Sequence, residues 1–164
     1  MNPSRTVLAA ADLANRSFHD NAVHAWHLTH ENPDEGTCTL TLDIDHIVEW
    51  IDVRGRCEFN IVPGLLRFYG VFRLKMEIDY SVGPIGVTPF QIDRIEQNIK
   101  KGEWADTTHW LIPINCPSGS ISFEATGWSL ILVGDSVHSL GQTLTRGTLS
   151  LDILQTSSES FPLL

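Results

Sequence analysis

Residues 65–79 read LLRFYGVFRLKMEID, and their alternation decides the fold. Leu66, Phe68, Gly70, Phe72, Leu74, Met76 and Ile78 fall on one side of an extended chain, and Arg67, Tyr69, Val71, Arg73, Lys75, Glu77 and Asp79 on the other. Successive side chains of a strand point to opposite faces, so a period of two sustained over this length reads as a long strand with one wet face. Just upstream, Cys57, Phe59 and Ile61 alternate in the same way, and VPG at 62–64 reads as a connection between two strands.

Toward the N-terminus, TCTLTLDID (37–45) places Cys38, Leu40, Leu42 and Ile44 opposite Thr37, Thr39, Thr41, Asp43 and Asp45, a half-buried strand. NPDEG (32–36) before it is a turn cluster, so residues 21–45 predict a hairpin. Folding about that turn pairs Leu28 with Leu40 and Trp26 with Leu42. His24, Trp26, Leu28 and His30 then lie on the apolar side, and His19, Asn21, Ala25, His27 and Thr29 on the side of the acids. Upstream of the hairpin, PSRTVLAAADLAN (3–15) is rich in helix formers, with Pro3 and Asn15 suited to helix termini. It predicts a short amphipathic helix within residues 1–17.

Toward the C-terminus, SVGPIGVTPF (81–90) is a loop, since its Gly and Pro exclude a helix and most central strands. Ile92, Ile95 and Ile99 recur at helical spacing and predict a short helix over 91–99. HWLIPIN (109–115) and SISFEAT (120–126) flank CPSG (116–119), a four-residue turn that sets Trp110, Ile112 and Ile114 opposite Ala125, Phe123 and Ile121. WSLILVG (128–134) and GTLSLDIL (147–154) offer two further strands, and the polar 155–164 reads as a frayed tail. The expected architecture is all-β, a mainly antiparallel sandwich or open barrel, in a single domain over 1–164.

Composition narrows the partners. The chain has 164 residues, 42% of them hydrophobic and 19% charged, the profile of a folded globular chain rather than a disordered one. A formal charge of −9 repels phosphate backbones and attracts cationic surfaces or metal ions, so nucleic acid is not an expected partner and a basic protein is. Cys38, Cys57 and Cys116 are an odd number without a close pair, which points to a reducing compartment. Asp12 interrupts the N-terminal apolar residues too early for a secretory segment. No run approaches the roughly 18 apolar residues of a membrane helix. A cytoplasmic protein is the expectation.

The stretch HDNAVHAWHLTH (19–30) holds His19, His24, His27 and His30. On a strand, His24 and His30 share a face but stand about 20 Å apart and do not share an ion. Two readings stay open for the face that carries His27 diagonally across from Asp43. It is a solvated sheet surface, or it is a divalent-cation site built from His19, Asp20, His27, Asp43 and Asp45, as in a metal-binding module or a metal-assisted hydrolase. For His24 and His30 the expectation is a place at the core edge with a ring nitrogen hydrogen-bonded.

Catalytic signatures are missing: the chain has no G-x-S-x-G, H-E-x-x-H, P-loop or G-x-G-x-x-G. Cys57 alternates with Phe59 and Ile61 and reads as a buried, inert thiol. Glu77 and Asp79, about 7 Å apart on one strand face with Arg73 and Lys75, read as a salt-bridge ladder. Trp26, Trp110 and Phe123 suit a core, whereas Trp50 and Trp104 lie in polar surroundings and suit a contact surface.

The segments FHDNAVHAW (18–26), LTLDIDHI (40–47), CEFNIVPGLLRFYGVFRLKMEIDY (57–80) and GSISFEATGW (119–128) resemble a group of small bacterial all-β proteins. The group shares an N-terminal HD, an LDID strand and a G-x-I-x-F-x-A-x-G strand. His19 and Asp20 match the HD position. The resemblance attaches no activity; it is similar in kind to immunity proteins of bacterial toxin systems and implies a protein partner. The functional expectation is a non-enzymatic acidic binding protein without a cofactor, a homo-oligomer being compatible with it. Asp43, Asp45, Glu77 and Asp79 would supply its acidic face, and Trp50 or Trp104 its aromatic contact.

Overall fold

The structure is a computed structural model that describes residues 5–8, 17–32, 34, 36–81, 89–101 and 107–147. Every regular element among them is a strand: β1 (Arg5–Leu8), β2 (Ala22–Asn32), β3 (Thr37–Val53), β4 (Arg56–Asp79), β5 (Phe90–Ile92), β6 (Glu96–Lys100), β7 (Thr107–Cys116), β8 (Ser118–Ala125), β9 (Gly127–Val133) and β10 (Val137–Ser139). All pairings are antiparallel. Among the described residues no helix is long and apolar enough to cross a membrane.

β4 is the spine. Along one edge it pairs with β3 from Val71 back to Arg56. Along the other it meets β10 at residues 59–61, β9 at 64–69 and β8 at 72–79, one after another. The pairings β4–β3–β2–β5–β7–β8–β4 close a circuit. Inside it lie Leu40, Leu42, Ile44, Leu66, Phe68, Ile92, Ile112, Ile121 and Phe123, all fully buried. Phe68 meets Trp110 and Phe123 edge-on at 5.1 and 4.7 Å between ring centroids, the offset geometry that ring quadrupoles favour.

VPG is not a connection, and β4 runs through it unbroken. Pro63 has no N–H to give to a ladder, and it sits where β4's second edge has no partner among the described residues, between Ile61 on β10 and Gly64 on β9. The strand turns instead at Gly70, whose φ of 58° lies in the left-handed region; a Cβ there would stand 2.6 Å from the Thr126 hydroxyl oxygen. This corner separates β8 from β9, with Thr126 N–H donating to the Tyr69 carbonyl at 2.9 Å. Beyond a bulge at Arg73 the expected alternation holds, with Leu74, Met76 and Ile78 half-buried and Lys75, Glu77 and Asp79 exposed. Before it both faces are covered, and Leu65, Arg67 and Val71 are buried.

The predicted N-terminal helix is corrected: Arg5–Leu8 is an edge strand along β9, with Arg5 opposite Val133 and Leu8 opposite Leu130. An isolated short helix is marginal in water, and the ladder offered by β9 overrides local propensity. The remainder of residues 1–17 called helical lies outside the described residues, apart from Ser17, which is not in a helix. The helix over 91–99 is also corrected. β5 and β6 both run beside β7, with the Asp93 N–H donating to the Pro113 carbonyl at 2.9 Å between them, so pairing with β7 overrides the helical spacing of the isoleucines.

The β7–β8 hairpin forms, but two residues out of the expected register: Trp110 faces Phe123, Ile112 faces Ile121 and Thr108 faces Ala125. The turn closes on Cys116 and Pro117 rather than on four residues. A slip of two keeps every side chain on its face, so the same residues still fill the core. The strand at 147–154 and the tail at 155–164 fall outside the described residues beyond Gly147.

Candidate functional site

The β2–β3 hairpin has the expected register, Trp26 opposite Leu42 and Leu28 opposite Leu40, but a bulge between Val23 and Ala25 changes which residues share its faces. Val23 stays opposite Ile44 in the core. His24, the inserted residue, crosses to the acids, as an extra residue in one strand requires. Its Nε2 donates to Asp45 Oδ2 at 2.7 Å. Asp43 and Asp45 are only 1% and 0% exposed, so the hairpin's polar face is not the solvated surface the alternation suggested.

The segment that follows β10 covers that face. Arg146 donates from Nε to Asp45 Oδ1 at 2.7 Å, and from Nη2 to Asp43 Oδ1 at 2.8 Å and to the Ile44 carbonyl at 3.0 Å. The Leu144 N–H adds a 2.7 Å bond to Asp45 Oδ2. Burial pushes the Asp45 carboxyl up, but the bonds from His24, Leu144 and Arg146 outweigh it and hold the group below the ordinary carboxylate value. Burial likewise disfavours the Arg146 cation, and the bonds to the two aspartates more than offset it. The planar guanidinium suits two carboxylates at once in a way an ammonium does not.

His19 and Asp20 form the neighbouring corner. Asp20 adopts a left-handed conformation, φ 61°, which a short polar side chain tolerates. Its N–H donates to the Ile92 carbonyl at 2.8 Å. Its carboxylate receives Asn115 Nδ2 at 3.1 Å and Gln142 Nε2 at 2.7 Å, joining β7 and the covering segment. His19 Nδ1 lies 3.1 Å from Asp20 Oδ2, and its ring centroid is 6.2 Å from that of Trp50. Asn21 is fully buried: Nδ2 donates to His46 Nδ1 at 2.8 Å, and Oδ1 accepts the Ile47 N–H at 3.2 Å.

The five residues read as a cation site are thus not gathered around one point. His19 and Asp20 stand at the corner, and Arg146 occupies the place between Asp43 and Asp45. His27 faces Thr41 and makes neither hydrogen bond nor ion pair among the described residues. No group of three or more His, Cys, Asp or Glu side chains among the described residues is arranged to hold a metal ion.

The contact residues separate too. Trp50 is 46% exposed on the β3–β4 ribbon, edge-on to Phe59 at 4.9 Å. Glu77, paired with Lys75 at 3.0 Å, and Asp79 are at the other end of β4, roughly 60 Å of strand path from Phe59. The Ser81 side chain and N–H hold the Asp79 carboxyl below its ordinary value. Trp104 lies outside the described residues. Trp26 is a correction: it shares the face of Leu42 yet is 46% exposed. Cys57 is another, exposed because it lies on the ribbon beyond the core, opposite Asp52.

His24, Asn21, His46, Gln142 and Arg146 were not singled out as site residues. For Arg146 the sequence carries no local signal, since GQTLTRG is an ordinary polar stretch and its aspartates lie 101 and 103 positions away. No protein-family model matches the chain, and no curated protein matches it in sequence. Of the HD and LDID residues, Asp20, Asp43 and Asp45 accept hydrogen bonds from the covering segment.

Proposed function

We propose that the chain is a non-catalytic binding protein that takes a basic protein partner on the projecting β3–β4 ribbon, with Trp50 as anchor. The observation that carries this reading is the setting of Trp50: half exposed, steadied by Phe59 and flanked by the exposed Val48 and Val53. Exposed aromatics on a rigid support are the side chains that dominate binding energy at protein interfaces. Charge supports the choice of partner, because a net −9 accelerates encounter with a cationic surface and repels acidic ones.

Asp43 and Asp45 take no part in this surface, since both are buried against Arg146. Glu49, Asp52 and Glu58 on the ribbon replace them as its acids. The likeness to immunity proteins and an odd number of cysteines without a close pair in sequence fit a cytoplasmic bacterial role of this kind.

The test is parallel affinity capture with wild type and Trp50→Ala from bacterial lysate at low and high salt. The reading expects a basic protein held by wild type, released by salt, and absent from the variant although circular dichroism shows it folded. Identical captures by both proteins overturn it.

A further inference from the structure

β2 carries an unusual edge. One side pairs with β3 along its length, but the other pairs with β5 only at Ala22 and Val23. From His24 to His30 no strand pairs with that second edge among the described residues. Natural sheets blunt such edges with lysines, other charges or proline. The residues here are HAWHLTH, without a Lys, Arg, Asp, Glu or Pro in a chain that is 19% charged. Trp26 and Leu28 project from it on the core face, yet are 46% and 47% exposed, because among the described residues no neighbouring strand carries the sheet past them.

The sequence of this edge nearly repeats when read backwards from His27. Directly opposed residues of an antiparallel pair share a face, so two copies related by a twofold axis through the sheet must pair positions of equal parity. Centred on His27, that rule places Trp26 opposite Leu28 of the second copy and Leu28 opposite its Trp26. Ala25 and Thr29 meet, and no acid opposes an acid. This register fits between the bulge at His24 and the one that follows His30. Shifting the centre to Trp26 sets Ala25 against His27, and shifting it to Leu28 sets Trp26 against His30 and Ala25 against Glu31.

Charge also selects the occupant. A cationic strand would find no carboxylate on residues 24–30, whereas a second copy brings a neutral edge to a neutral edge. We infer that β2 is the interface of a reversible homodimer, in which the free edges pair antiparallel about His27 and continue the sheet from one chain to the next. Two short edges and four apolar side chains make a contact below the roughly 1,200 Å² of stable interfaces, so the dimer is concentration-dependent. The inference concerns a surface other than the Trp50 ribbon and does not depend on it.

The test uses the full chain in sedimentation velocity over a hundredfold range of concentration. The expected result is a weight-average mass that rises to twice that of one chain and stops there. Trp26→Lys and Leu28→Glu, both at half-exposed positions that leave no cavity, are each expected to stay monomeric. Mixed together they are expected to form a heterodimer, because Lys at 26 of one copy then faces Glu at 28 of the other while Leu28 still faces Trp26. A wild type that stays monomeric throughout, open-ended association, or variants that dimerise alone or fail to pair when mixed would overturn the inference.

Discussion

The Arg146 guanidinium lies 2.7 Å from Asp45, across 101 positions of sequence, and the same group reaches Asp43 at 2.8 Å. It occupies the place where a divalent cation would have to sit if the hairpin's acids formed a metal site. The arrangement turns two buried negative charges into a structural tie between the first hairpin and the segment after β10.

Arg146→Ala leaves both carboxylates buried without their cation, and breaking a buried pair from one side costs about 3 kcal/mol or more. Urea denaturation is expected to show this loss. Arg146→Lys should recover only part of it, since a point charge does not span two carboxylates. A loss under about 1 kcal/mol, the size of an exposed pair, would contradict the buried network.

Asp45 fixes a direction for the response to acid. Its folded pKa is depressed below the ordinary 3.8, so the unfolded state binds protons first as pH falls. The stabilisation is fully present above 3.8 and is lost as pH falls through the lower folded value. Melting temperature followed from pH 6 downward should therefore fall more steeply below about pH 4 in wild type than in Asp45→Asn. Parallel curves would assign the acid response to other carboxylates.

Gly70 and Gly36 both have positive φ, at 58° and 66°, but only Gly70 is crowded by a neighbour, the Thr126 side chain. Gly36→Ala should cost about 1 kcal/mol, the penalty of the left-handed region alone. Gly70→Ala should cost more, and Thr126→Ala, by removing the hydroxyl at 2.6 Å and the methyl at 3.1 Å, should return part of the difference. Equal costs in chemical denaturation would mean the corner relaxes freely.

Asn21→Ala removes the partner of two buried groups, His46 Nδ1 and the Ile47 N–H. Stranding them should cost about 1–3 kcal/mol. Amide hydrogen exchange at Ile47 offers a local reading of the same bond: protection should drop there before it drops at Leu42.

The parts of the fold legible in sequence are those set by local alternation and turn chemistry. TCTLTLDID with its preceding turn specifies the register of the first hairpin from Ala25 to His30, and LKMEID alternates as read. What stayed hidden depends on neighbours. Arg5–Leu8 becomes a strand because β9 has an edge to fill, and Pro63 stays in a strand because that edge is vacant beside it. The site was half legible. HD and LDID were singled out, yet one bulged residue, His24, reversed its face, and the counter-ion came from a segment with no pattern of its own.

The order of synthesis gives Arg146 a further meaning. All ten described strands precede it in the chain, so Asp43 and Asp45 leave the ribosome about a hundred residues before their cation. Contacts of that span are slow to form, because the intervening chain must first be ordered. Until Arg146 arrives, the first hairpin holds two carboxylates whose stable place is water, and its polar face stays open. In chain order, the ion pair can close only after every described strand has been made.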